Sequence, residues 1–306
     1  MAAPRIWRKI TRFTSVVAAI ARHPLHRAHP IRAVWQATRL IGSSTLTPTH
    51  QVAIPYINDT ILHWPVGASS VMLCARFGLG EYADMAFCLH ALRPDDLFCD
   101  VGANAGVYTI LAAGAVGSRV VSIEPIPRTF DLLMSNVYAN SVAHLVDARR
   151  NGMGDAPDML HFTSALWSLN HVVDPATPGS IEVDVVTLDS ALDGRVPQII
   201  KIDVEGFEAK VLRGASGTLA DPRLLAILIE VTDQVARYGD TRPVIADALR
   251  QAGFTGPFWY QPDTRSLTDA REPGQTRYNQ IFVRDRSVLE ARLRSAPEYT
   301  IHGTRI

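Results

Sequence analysis

The sequence predicts an α/β protein: a doubly wound, mostly parallel sheet with an antiparallel last strand, preceded by a basic, mainly helical N-terminal extension. Three observations predict it. From about residue 97 onward short apolar runs alternate with helical segments, as in a parallel sheet with helical crossovers. The first of those runs ends in a glycine-rich turn, Asp100-Val101-Gly102-Ala103-Asn104-Ala105-Gly106, that opens a helix. Residues 1–58 hold no Asp or Glu, yet carry Arg5, Arg8, Lys9, Arg12, Arg22, Arg27, Arg32 and Arg39.

The elements follow in order. Residues 1–45 read as two basic helical segments broken at Pro24 and Pro30. Residues 51–54 and 60–63 are β-like runs, set apart by turn chemistry at Pro55, Asn58-Asp59 and Pro65-Val66-Gly67. A helix over 81–92 is stopped at Arg93 by Pro94. Strand 97–101 enters the glycine turn, helix 107–115 leaves it, and strand 119–123 follows. Pro127 suits a first helical turn, so a helix continues over 128–140, and 144–148 is the third strand. Residues 151–180 are less regular, with short strands near 159–163 and 181–186. Strand 198–203, a helix over 206–212 ending at Gly214, and the apolar run 224–231 come next. That last run is what a strand covered on both faces requires. Helix 242–251 and strands 254–260 and 279–283 complete the core. The resulting division is an N-terminal extension over 1–80, a Rossmann-like domain over 81–285 and a C-terminal tail over 286–306.

Composition narrows the function classes. Among 306 residues, 47% are apolar and 20% charged, which suits a globular core. Lys+Arg and Asp+Glu both total 30, so no overall field favours nucleic acid or acidic partners. Cys74, Cys88 and Cys99 have no metal-binding spacing and no disulfide framework, which suits a reducing cytoplasm. No apolar run reaches the roughly 18–20 residues of a membrane span, and no secretory signal is evident. A cytoplasmic location follows. The basic extension is assigned first to a helical cover on the core, with docking to an anionic membrane or a partly disordered arm as its other readings. The sequence sets no oligomeric state.

The glycine turn carries the functional reading. Gly102 and Gly106 permit a tight turn whose backbone touches a ligand, and the helix N-terminus beyond it offers free N–H groups. Glu124, at the end of the next strand, lies where a βαβ unit delivers a carboxylate to ribose hydroxyls. A dinucleotide asks for G-x-G-x-x-G; here the pattern is G-x-N-x-G behind Asp100. An acid there repels a pyrophosphate but accepts from the ammonium of a methionine moiety. S-adenosylmethionine is therefore favoured over NAD.

These residues resemble the FkbM-type methyltransferase family. The likeness shows in 100–106, in Ser122-Ile-Glu-Pro-Ile-Pro127, in Thr187-Leu-Asp189, and most specifically in Lys201-Ile-Asp-Val-Glu-Gly-Phe-Glu208 continued by Val211-Leu-Arg-Gly-Ala215. It spans about residues 95–232. It implies a class I methyltransferase core, S-adenosylmethionine as donor and O-methylation of a hydroxyl on a sugar, glycolipid, glycan or polyketide-like acceptor. The donor site is expected from Asp100, Gly102, Ala103, Asn104, Gly106, Glu124 and Pro125, with Ile126 and residues 151–155 near the adenine. Asp203 and Glu205, after the fourth core strand, are the expected catalytic carboxylates, Asp203 first. Their other reading is structural: Glu205 capping the next helix and Lys201 pairing with an acid. A divalent cation held by these acids with Glu230 is not favoured, and no metal ligands are assigned. His144, His161 and His171 are the alternative bases, and Trp167 the residue to stack on a sugar. The rival functions are an NAD-dependent oxidoreductase and a non-catalytic glycan-binding relative.

Overall fold

The computed structural model describes residues 5–46, 52–65, 68–269 and 279–306. Two helices, α1 (Arg5–Arg22) and α2 (Pro30–Leu46), form an N-terminal hairpin broken between Pro24 and Pro30. A strand pair, β1 (Val52–Pro55) and β2 (Ile61–Trp64), then leads through α3 (Ser69–Phe77) and α4 (Tyr82–Ala91) into the main sheet. There follow β3 (Leu97–Val101), α5 (Val107–Ile110, prolonged as a π-helical turn over Leu111–Val116), β4 (Arg119–Ile123), α6 (Pro127–Ala139) and β5 (Val146–Arg149). A four-stranded side sheet holds β6 (Gly152–Gly154), β7 (Asp158–Phe162), β8 (Val172–Val173) and β9 (Ile181–Thr187). The chain returns through α7 (Leu188–Leu192), β10 (Ile199–Ile202), α8 (Glu208–Arg213), α9 (Ser216–Ala220), β11 (Ala226–Glu230) and α10 (Arg242–Gln251). It closes with β12 (Thr255–Gln261), β13 (Ser266–Thr268), β14 (Asn279–Val283), α11 (Arg286–Arg294) and the pair β15 (Thr300–Ile301) and β16 (Thr304–Arg305).

The main sheet runs β13-β12-β14-β11-β10-β3-β4-β5. Strands β11, β10, β3, β4 and β5 pair parallel, and β14 enters antiparallel beside β11. This is a doubly wound order in which β14 enters antiparallel, as the sequence predicts. Alternation along the strands feeds two cores: Phe98 packs on one face, while Leu97, Cys99 and Val101 pack on the other. Strand order reverses at β3, so β3 and its neighbours β4 and β10 open a crevice at their carboxyl ends, where ligands of such sheets bind.

Three parts of the sequence reading change. Residues 69–77, unassigned from the sequence, form a helix closed by Gly78 at φ 82°. Residues 286–306, expected as a tail, form α11 and a hairpin; Tyr299 and Ile301 are buried in the same apolar cluster as Tyr56, Leu79 and Phe87. That cluster joins residues from all three expected parts, so the boundaries at 80 and 285 do not divide the core. Arg292 clamps this end down, donating to the Ala91 carbonyl at 3.0 Å and pairing with Asp96. Third, Gly152–Gly154 and Ser266–Thr268 pair as short strands that the sequence did not reveal. Three residues are too few for a period-2 signal.

Candidate active site

A cavity of about 240 Å³ lies at the carboxyl ends of β3, β4, β10 and β11. Its first wall is made by the glycine turn. Gly102 sits at φ 81°, and a Cβ there would stand 1.9 Å from the Asp203 carbonyl oxygen, so the two strand-end loops touch backbone to backbone. The Gly102 and Ala103 N–H groups both donate to the Ile123 carbonyl at 3.0 Å. Gly106, at φ 79°, leaves no room for a Cβ beside Leu133 of α6, 2.4 Å away.

Glu124 locks this wall. Its Oε2 accepts from the Asn104 N–H at 2.9 Å; its Oε1 accepts from the Ile126 N–H at 3.0 Å and the Thr129 hydroxyl at 2.6 Å. Oε1 has used both lone pairs, while Oε2 keeps one for a further donor. Burial raises the Glu124 pKa, and these hydrogen bonds oppose the rise. Pro125, Ile126, Asn151, Gly152 and Met153 continue the lining. Asp155 does not; it faces Lys210 and Arg213.

Asp100 does not reach the cavity lining. It is fully buried one layer below, its Oδ2 accepting from the Thr109 hydroxyl at 2.8 Å and its Oδ1 without a hydrogen-bond partner. Residue 100 pairs in register with Lys201 of β10. Asp100, expected from sequence to accept from the ammonium of the methionine moiety, thus lies below the cavity lining, in register with Lys201.

Lys201 is the cationic centre of the floor. It is 4% exposed, its Nζ is 2.9 Å from Asp203 Oδ2, and it stands 4.8 Å from the centre of the Tyr108 ring. Burial pulls its pKa down, but Asp203, Asp100 and Glu81 outweigh burial and raise it. The ammonium is thus held charged. Glu81 comes from the approach to α4: Tyr108 donates its phenol to Oε2 at 2.7 Å and Asn279 donates to Oε1 at 3.3 Å. Burial pushes the Glu81 pKa up, with Lys201 opposing.

Glu205 follows Asp203 in a left-handed conformation, φ 55°, and accepts from the Gln234 amide at 2.7 Å. Burial, then the Asp203 charge, pushes its pKa up to about 7. Glu230, one step beyond the Ile202–Ile229 pair, is pushed up to about 9 by burial and by Asp203, Glu205 and Glu208. The N-cap of α8, Phe207, has no side-chain cap, so Glu205 does not cap that helix; Glu208 instead braces the loop before it, its Oε1 accepting from the N–H groups of Val204 at 3.2 Å and Gly206 at 3.0 Å. Among the described residues no group of three His, Cys, Asp or Glu side chains is arranged to hold a metal ion.

The opposite wall comes from elsewhere in the chain. Ser69, Ser70 and Leu73 of α3, with Glu81 and Met85, face the glycine turn, and Ser70 donates to Asn104 Oδ1 at 3.1 Å. Trp167, at φ 55°, lines the mouth with the Arg128 guanidinium carbon 3.9 Å from its ring centre. Ser168 lies 2.6 Å from Ser69, hydroxyl to hydroxyl. The histidines offered as bases are not here. His144 is exposed, His161 meets Ser180 at 3.2 Å and His171 meets the Leu169 carbonyl; none lines the cavity. His161 lies on β7 next to Phe162, so strand alternation puts it on the face opposite the cavity-lining Phe162, while His171 precedes β8. Glu81 and Tyr108 were missed. The G-x-N-x-G spacing gave no reason to look inside its own helix or upstream of the strand.

Residues 100–255 match the methyltransferase FkbM domain. The chain belongs to that family. Relatives include the hexuronic acid methyltransferase AglP of Haloferax volcanii, 28% identical over 49% of this chain and 62% of that protein, so the match spans under two thirds of its length. The 31-O-demethyl-FK506 methyltransferase FkbM of Streptomyces tacrolimicus is 30% identical over 57% of this chain and 79% of its own. Among solved structures, the O-methyltransferase TomG of Streptomyces achromogenes superposes with a TM-score of 0.40 at 13% identity, covering 81% of this chain and 95% of that one. The family match takes in both strand-end loops, but not Glu81 or the α3 wall.

Proposed function

We propose that the protein is an S-adenosylmethionine-dependent O-methyltransferase acting on a hydroxyl of a sugar, glycolipid, glycan or polyketide-like acceptor. The observation that carries this is the acidic lining of the cavity: among the described residues Glu81, Glu124, Asp203 and Glu205 line it around one cation, Lys201, while Glu230 is held protonated beside them. Such a lining suits a sulfonium and an ammonium and repels the pyrophosphate of a dinucleotide. The residues present fit the donor. The spare lone pair of Glu124 Oε2 accepts a ribose hydroxyl. Asn151 to Met153, with Pro125 and Ile126, flank the adenine. Gly102, Ala103 and Asn104 pass along the thioether chain, and Glu81, in place of Asp100, takes the ammonium.

When bound, S-adenosylmethionine supplies a methyl group on a positively charged sulfur, which an oxygen nucleophile displaces in line. The chain's residues align the acceptor and remove its proton. Asp203 is engaged by Lys201, so its charge is committed to orientation. Glu205, tuned near neutrality and held by Gln234, becomes the preferred base, reversing the order in which the two were ranked from sequence. The hydroxyl proton goes to the Glu205 carboxylate as the oxygen lone pair forms the new O–CH₃ bond. The C–S bonding pair stays on sulfur, and the products are a methyl ether and S-adenosylhomocysteine. The experiment incubates methyl-labelled donor with free sugars, lipid-linked sugars and macrolide alcohols. Label in an alkali-stable methyl ether is expected. Label in an ester or on nitrogen would refute O-methylation of a hydroxyl.

A further inference from the structure

The N-terminal hairpin has two unlike faces. Ala33 and Ala37 of α2 turn inward and are buried with Ile20 of α1, against Phe77 of α3. On the outer side Ile31 is 86% exposed and Trp35 61% exposed. They are four residues apart and so lie on one stripe, which Arg39 continues, its guanidinium carbon 5.4 Å from the Trp35 ring centre. Arg32 is exposed beside them. An exposed apolar side chain is ordinary when single. Here an indole and an isoleucine share a stripe with arginines, in a stretch of 58 residues without a carboxylate. That is the make-up of a helix lying in a membrane interface, where tryptophan sits at headgroup depth and arginine meets phosphate.

We propose that this face of α2 docks on an anionic phospholipid bilayer, with Ile31 and Trp35 entering the interface and Arg32 and Arg39 meeting the headgroups. The contact is peripheral: no helix among the described residues is long and apolar enough to cross a membrane. The hairpin also sits next to the cavity. Helix α2 packs on α3, which supplies Ser69, Ser70 and Leu73 to the cavity wall. Docking would therefore hold the acceptor side of the site close to the lipid surface, where a lipid-linked acceptor resides. The proposal stands apart from the methyltransferase reading, because binding to lipid needs neither donor nor turnover.

The full chain is sedimented with vesicles of phosphatidylcholine alone or mixed with phosphatidylglycerol, at low and high salt. Binding to the mixed vesicles that weakens with salt is expected. The variant carrying Ile31→Ser and Trp35→Ser should lose roughly tenfold or more in partition coefficient, and the variant carrying Arg32→Ala and Arg39→Ala a similar factor. Both substituted pairs are exposed, and circular dichroism and melting of each variant confirm that its fold is kept. Equal binding to both vesicle types, variants that bind like the parent, or a dimer in sedimentation velocity that the Ile31/Trp35 variant abolishes while vesicles are ignored would each overturn it. The last outcome would assign the stripe to a second copy of this chain.

Discussion

The two walls of the cavity are built in opposite ways. The wall of residues 102–106 and 124–126 is continuous backbone, fixed by positive-φ glycines and by a glutamate bonded to its neighbours' N–H groups. The facing wall is made of side chains from α3, the start of α4 and the mouth around Trp167, segments separated by up to about a hundred residues. A backbone site admits one ligand shape and tolerates little change. A side-chain site can be refitted by substitution. The two named relatives bear the names of different acceptors, a hexuronic acid in one and 31-O-demethyl-FK506 in the other.

The largest way to sharpen this comparison is Glu205→Gln, on the floor between the walls. It should lower kcat by roughly 10²–10⁴-fold while leaving donor affinity unchanged. The Glu205 pKa is pushed up to about 7, and the base must be ionised to act, so kcat/KM should climb with pH through about 7 and then level; the variant should lack that limb. Lys201→Met comes next. It leaves Asp100 and Asp203 without their cation, and chemical denaturation should show a loss of about 3–5 kcal/mol. If stability stays the same, those acids do not need the lysine. Gly102→Ala tests the backbone wall. The added methyl meets the Asp203 carbonyl in a conformation that alanine resists, a cost on the order of 3 kcal/mol that should appear in both melting and donor affinity. The smallest effect falls on the facing wall: Trp167→Ala should raise the acceptor KM by a factor worth about 1 kcal/mol, with the donor bound as before. An equal loss for the donor would erase the distinction between the walls.

Legibility follows the same line. The strands β3, β4, β10 and β11 were readable because buried strands must be apolar throughout, and the turn because only glycine meets its geometry. Glu124 was found from its distance along the βαβ unit. The sheet neighbours of Asp100 were not readable: which face an acid takes depends on strand register, and Lys201 claims this one. Glu81 gave no local signal, since its role arises only when α4 folds back over β3 and brings it to Tyr108. The helix 69–77 hid behind turn residues, and residues 286–306 read as a tail because their apolar positions, Leu289, Leu293, Tyr299 and Ile301, are sparse until they meet the core. The histidines misled for the converse reason: a titratable side chain near a site in sequence says nothing of its direction.

Everything rests on the glycine turn and Glu124 holding a sulfonium nucleoside, which calorimetric titration measures directly. S-adenosylmethionine and S-adenosylhomocysteine should each bind one per chain, NAD should give no heat, and Glu124→Ala should weaken the nucleosides by about 1–3 kcal/mol through the lost acceptor. Binding of NAD with no response to either nucleoside, or full affinity in the Glu124 variant, would contradict the account.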